Sequence, residues 1–278
     1  MRIENIETVI VPFRPPEVHN TILKFDMNRY FYFDQDWSIE RRFASIDAFE
    51  ETFKQWVHFK LPDFHLYTTS GTTEAITYCI NDLSYRSKKI AMVENEYRWY
   101  TMTAQKLNIQ VDVINSVDQL TADHVFITSV PFCKDGTVSE LQQQLLDKCH
   151  IDKIECWLDC AYYGAGRSVD FRIPKSTTNM FFSFSKNFGL ALNRFGVWLA
   201  KDWRMDRAIL QNVAYVNIPN MELTTYLMQK FTHDYMWNNY RALQLSVTNT
   251  PTDIIFMSKD GCITKALIDK VKEEYQSF

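Results

Sequence analysis

Apolar and polar positions along the chain change period repeatedly, and the changes divide it into short strands and helices. From Ser45 to Phe59 apolar residues recur at helical spacing, with Ser45 placed to cap that helix. Short apolar runs then alternate with helical stretches. The pattern predicts strand 65–69, helix 72–84, strand 89–94, helix 98–107, strands 110–114 and 124–129, helix 138–149, and strands 153–158, 179–184 and 195–200. Strands separated by helices imply an α/β fold, a mostly parallel sheet flanked by helices. After Lys201 the period becomes that of long amphipathic helix, opened by Trp203 to Arg207 and broken at Pro219. A last strand over 253–257 and a helix over 264–275 end the chain. Residues 1–43 are irregular and rich in aromatics and proline (Pro12, Pro15, Pro16, Tyr30 to Phe33), the composition of an arm that packs on something.

Composition permits a globular enzyme and narrows its setting. With 278 residues and 46% hydrophobic content the chain can bury one large domain and a smaller one. A net charge of −4 directs no face toward nucleic acid. The six cysteines contain no C-x-x-C pair, which suits reduced thiols in the cytoplasm. The N-terminus lacks the apolar core of a signal peptide, and no run approaches the roughly 20 apolar residues of a membrane span, so a soluble protein is expected. Its histidines are scattered without an H-x-x-x-H spacing, and no zinc site is expected.

Candidate chemistry concentrates around Lys186, in the run Phe182-Ser183-Phe184-Ser185-Lys186-Asn187-Phe188-Gly189, with Arg194 beyond it. A lysine that holds pyridoxal phosphate as a Schiff base needs an amine able to become neutral, which a desolvated site provides. The cofactor phosphate needs directional donors, and Ser183, Ser185 and Arg194 can supply them. Upstream, the apolar run 154–158 ends in Asp159, followed by Cys160-Ala161-Tyr162. Ligands of open α/β sheets sit beyond the carboxyl ends of strands. Asp159 is therefore the candidate partner for the pyridinium nitrogen. Tyr162 is the candidate donor to the ring oxygen.

Two further blocks support this pair. In Ser70-Gly71-Thr72-Thr73-Glu74 a strand turns into a helix whose N-terminus favours phosphate, although Ser/Thr followed by Glu is also an ordinary capping box. In Glu94-Asn95-Glu96-Tyr97-Arg98-Trp99-Tyr100, Tyr97 is the candidate platform for a flat heteroaromatic ring, against the plainer alternative of core packing. Six of the seven glycines fall in or beside these segments, where turns are tight.

Taken together, Ser70-Gly71-Thr72, Tyr97 to Tyr100, Asp159 to Tyr162, and Ser183 to Lys186 with Arg194 resemble the class I/II aminotransferases, the fold type I pyridoxal phosphate enzymes. The resemblance covers about residues 64–200 in order and spacing. It implies that Lys186, Asp159 and Tyr162 are catalytic. Ser70, the amides of Gly71 and Thr72, Ser183, Ser185 and Arg194 would hold the phosphate, and Tyr97 would stack on the ring. It also implies a large domain over 44–205, with 1–43 and 206–278 forming an arm and an abbreviated small domain, and a homodimer. Two departures are visible. Cys133, in Pro131-Phe132-Cys133-Lys134-Asp135-Gly136, stands where the family carries the asparagine that bonds the ring oxygen. No clear strand near the C-terminus carries the family's carboxylate-binding arginine, for which Arg241 is a possible substitute. The expectation is an aminotransferase moving an amino group from an amino acid donor to a keto acid or aldehyde acceptor. A decarboxylase or lyase on the same fold, and a non-catalytic interaction protein that keeps it, are the alternatives.

Overall fold

A computed structural model describes residues 14–30, 38–61, 63–190, 193–204, 206–208 and 216–247. Among these, seven strands form one sheet: β1 (His65–Thr69), β2 (Lys89–Met92), β3 (Val111–Val113), β4 (His124–Ser129), β5 (Cys156–Cys160), β6 (Thr177–Ser183) and β7 (Gly196–Ala200). Their order is β1-β7-β6-β5-β4-β2-β3. Strands β2 to β6 pair in parallel, whereas β7 runs antiparallel to both β6 and β1. It follows that β1 points the same way as β6. The segments leaving β1, β2, β4, β5 and β6 therefore emerge at one edge of the sheet, where the motif residues lie.

Helices cover both faces because alternate strand residues are apolar on both sides. Helix α1 is Pro16–Leu23, α2 Ile39–Trp56, α3 Thr72–Leu83, α4 Trp99–Lys106, α5 Glu140–Asp152, and the short α6 Phe184–Asn187. Helices α7 (Ile218–Lys230) and α8 (Tyr235–Val247) follow. On one face Phe49, Phe53 and Trp56 of α2, Leu145 of α5 and Met221 of α7 pack on Phe126, Leu158, Phe182 and Val197. On the other, Ile76 and Ile80 of α3 and Tyr100 of α4 pack on Ile127, Trp157, Phe181 and Trp198. Each such large side chain contributes roughly 1.5–3 kcal/mol by leaving water.

Several boundaries differ from the pattern reading. Ser45 is inside α2, not at its start. Ser38 is the cap, accepting from the Arg41 amide at 3.3 Å, and the Ser45 hydroxyl donates to Glu222 of α7 at 2.6 Å. The strand expected over 153–158 is displaced to Cys156–Cys160, because α5 continues to Asp152 and Lys153 then turns the chain in the left-handed region, φ 58°. The break expected at Pro219 falls just before it: Asn217 caps α7 and Pro219 sits in its first turn, where its missing N–H has no partner to lose. Part of the segment read as irregular is helix α1, fixed by buried Val18 and by Arg14, whose Nε and Nη2 donate to the Gly189 carbonyl at 3.0 and 2.7 Å. The strand and helix expected over 253–275 lie outside the described residues. No helix among the described residues is long and apolar enough to cross a membrane.

Candidate active site

The short helix α6 turns Lys186 inward directly after β6. Ser183 caps it, its hydroxyl oxygen accepting from the Ser185 amide at 3.4 Å. The Lys186 amine lies 4.8 Å from the centre of the Tyr162 ring. Burial holds that amine below the usual lysine range, against the opposing pull of Asp159 and with a smaller push from Arg194. Strand β5 thus delivers Asp159 and Tyr162, and β6 delivers Lys186, to one place.

Asp159 is buried at the end of β5. The Tyr100 hydroxyl donates to its Oδ2 at 2.6 Å, and the Ala161 amide donates to its Oδ1 at 3.0 Å. Burial nevertheless raises its pKa, with the Tyr100 bond and the Lys186 charge pulling the other way. Burial also raises the Tyr162 phenol, helped by Cys133 and Asp159, so that it keeps its proton. Tyr97 is 38% exposed and meets Tyr100 edge to face with ring centres 5.6 Å apart, at the open side of the cluster.

A second cluster forms where β1, β6 and β7 meet. Gly71 caps α3 at φ 122°, and a Cβ there would lie 2.9 Å from Nη2 of Arg194 and 3.6 Å from Oγ of Ser183. Only glycine leaves this hollow open. Arg194 is oriented by its Nε donating to the Ser70 carbonyl at 3.0 Å. Gly196 brings β7 close enough for this, since a Cβ on it would meet the Gly71 Cα at 2.6 Å. Thr72 opens α3 and is buried. The Ser70 amide donates to Oε2 of Glu74 at 2.7 Å, so the capping role of Glu74 coexists with the hollow, and the Gly71 amide donates to the Thr69 hydroxyl at 3.3 Å. The Ser185 hydroxyl is buried without a hydrogen-bond partner.

Cys133 is half-buried beside Ala161 and Tyr162. Its thiol points to the Asn95 carbonyl at 3.4 Å and to Oε2 of Glu96 at 3.7 Å. Burial and the Glu96 charge keep it protonated. Arg241 lies on α8 with its guanidinium 4.6 Å from the Trp237 ring centre.

Two members of the cluster, Tyr100 and Glu96, lie in the block Glu94 to Tyr100 but have no role in the reading by motif. Tyr100 had a readable signal, an aromatic ring three residues after Tyr97 in the first turn of α4, and the two rings meet edge to face. Glu96 had none: a charged residue between a strand and a helix reads as solvated, yet it is 8% exposed.

The chain spans most of several solved structures at low identity. A PLP-bound C-S lyase from Staphylococcus hominis matches with TM-score 0.58 and 17% identity over 90% of this chain and 73% of that one. The L-threonine-O-3-phosphate decarboxylase from Porphyromonas gingivalis gives 0.58 and 13% over 86% and 77%. The aminotransferase AspB from Helicobacter pylori 26695 gives 0.55 and 14% over 89% and 74%. The fold is that of the class I/II aminotransferases, fold type I. No protein-family model and no curated protein matches the chain.

The residues present fit pyridoxal phosphate. The Gly71 hollow is bounded by a guanidinium and a hydroxyl, the Ser185 hydroxyl beside Lys186 is left without a partner, and a carboxylate lies within electrostatic reach of the lysine. A buried orphan hydroxyl costs about 1–3 kcal/mol, a cost that a bound phosphate oxygen removes.

Proposed function

We propose that this protein is a pyridoxal phosphate-dependent aminotransferase, with an amino acid as donor and a keto acid or aldehyde as acceptor. The observation that carries this reading is the half-buried Lys186, its amine over the Tyr162 ring and within electrostatic reach of Asp159.

When bound, pyridoxal phosphate supplies an electron sink for the charge left on the substrate α-carbon. Arg194, the hydroxyls of Ser183 and Ser185 and the amide of Thr72 would hold its phosphate. Asp159, kept in place by Tyr100 and the Ala161 amide, would pair with the protonated ring nitrogen. Its burial makes that pairing strong, because little water competes. Tyr162 would donate to the ring oxygen and Tyr97 would lie against the ring. Lys186 Nζ would take the proton from the substrate α-carbon as general base and deliver it, as general acid, to the cofactor carbon that bears the substrate nitrogen. Its lowered proton affinity makes the neutral amine accessible.

A decarboxylase or lyase reading is favoured by one observation: fold neighbours include a C-S lyase and a decarboxylase. The fold does not fix which bond to the α-carbon breaks. We place the protein in the cytoplasm as a homodimer, a proposal resting on its cysteine usage and on the resemblance.

The absorption spectrum of purified protein with added pyridoxal phosphate, compared with Lys186→Ala and followed by a panel of amino acids, tests the reading. A lysine-dependent visible band that an amino acid bleaches, with release of the keto acid, supports the aminotransferase. Carbon dioxide or an eliminated side chain supports the alternative, and absence of any band rejects both.

A further inference from the structure

Glu96 is a buried acid that the mechanism above leaves unused. It follows β2 and is clasped from the end of β4. Its Oε1 accepts from the Thr128 hydroxyl at 2.6 Å and the Ser129 amide at 2.9 Å, and its Oε2 accepts from the Ser129 hydroxyl at 2.6 Å. That hydroxyl in turn accepts from the Cys133 amide at 2.9 Å, while the Cys133 thiol turns to the Asn95 carbonyl and Oε2 itself. Gln142 of α5 closes the far side, donating to the Thr128 hydroxyl at 2.8 Å.

Every partner of this carboxyl is a neutral donor, and among the described residues no lysine or arginine pairs with it. A neutral amide could tie Ser129 as well and without the desolvation of a charge. The charge therefore calls for an electrostatic account. The titratable groups that feel it come from each neighbouring element: Asp159 from β5, Tyr100 from α4, Cys133 from the turn after β4, and Tyr162 from the turn after β5. Lys186 and Arg194 are the cations acting on the same cluster, through Asp159 and through each other.

We propose that Glu96 is a positioning residue of this site: it holds the Cys133 thiol on its own carboxylate and the Asn95 carbonyl, and supplies beside Asp159 and Tyr162 a negative charge that favours the protonated Lys186 nitrogen once the cofactor is attached. The inference rests on the cofactor reading above. It gives the departure at Cys133 a physical consequence. The Cys133 thiol donates to the Asn95 carbonyl and Glu96, so Tyr162 would be left as the donor to the ring oxygen. Burial, acting before the stabilising bonds from Ser129 and Thr128, raises the Glu96 pKa to about 7, so the charge is present above neutrality and fades below it.

A pH titration of the visible band of the protein loaded with pyridoxal phosphate tests this, with Lys186→Ala defining the lysine-dependent part. Removing the charge in Glu96→Gln is expected to lower the pH midpoint at which the band loses its proton by about one unit. Ser129→Ala, which removes one donor and leaves the carboxyl, is expected to shift it the same way by less. A Glu96→Gln midpoint equal to that of the unsubstituted protein overturns the proposal while leaving the cofactor reading standing. If the unsubstituted protein forms no lysine-dependent band, both fall. Should Glu96→Gln fail to fold, Ser129→Ala decides alone: a downward shift supports the proposal and an unchanged midpoint overturns it.

Discussion

Strand β5 has an acid at each end, and the two are treated oppositely. Glu155, just before the strand, is held by the Arg86 guanidinium, by the Trp157 indole N–H at 3.0 Å and by the Thr178 hydroxyl at 3.0 Å. Burial pushes its pKa up, but the Arg86 and Trp157 contacts more than offset this and leave it below the usual range. Asp159, at the other end, has two neutral donors in contact among the described residues and stays above the usual range, with burial dominant. A cation in direct contact completes Glu155 as part of the fold. Asp159 is held in place without a cation in contact among the described residues, as its proposed pairing with a pyridinium nitrogen requires.

The largest break in this comparison is Lys186→Ala. It is expected to abolish the lysine-dependent band and reduce turnover by roughly a thousandfold or more, while the melting temperature holds or rises, because a desolvated amine is lost. Next is the pair of neutralised acids. Asp159→Asn is expected to reduce turnover by roughly a hundredfold with stability unchanged or improved. Glu155→Gln is expected to cost about 1–2 kcal/mol in denaturant unfolding, discounted for the exposure of Arg86, with turnover intact.

Gly71→Ala sharpens the view of the hollow at the other cluster. A Cβ at 2.9 Å from Arg194, on a backbone at φ 122°, is expected to weaken pyridoxal phosphate binding by about tenfold and destabilise by about 1 kcal/mol, read by fluorescence titration and by melting. Tyr100→Phe is a smaller test. It removes a donor from Asp159, and the acidic limb of the rate profile should move to higher pH by roughly half a unit to one unit.

The smallest effect is in the pH dependence of stability without cofactor, and it has opposite sign at the two ends of β5. Glu155 has a depressed folded pKa, so its contribution is full above the unfolded value near about 4 and is lost as pH falls through the lower folded value. Asp159 has a raised folded pKa, so the unfolded chain releases its proton first and stability is lost as pH rises from about 4 toward the folded value. Glu155→Gln should therefore approach the unsubstituted protein at low pH, and Asp159→Asn should gain on it as pH rises. Equal slopes for the two variants would remove the distinction drawn here.

What the sequence by itself determined is the local layer. Periodicity placed β1 and β4 at their observed ends, because one-face or two-face burial of a short strand leaves a pattern in adjacent residues. Lys186, Asp159, Tyr162 and Arg194 stood out because their order and spacing resemble those of the class I/II aminotransferases. Capping and turn chemistry were less legible. Ser38 and Ser45 are equally good caps in isolation, and only the contact of Ser45 with Glu222, 177 residues away, selects between them. The tertiary structure alone decided which acid of β5 meets a cation in direct contact, since Arg86, Trp157 and Thr178 gather at one end and Tyr100 and Lys186 at the other. It alone buried Glu96, whose partners come from a neighbouring strand more than 30 residues along the chain. Charge compensation depends on neighbours in space, and a sheet with crossover helices takes those neighbours from parts of the chain that no local pattern connects.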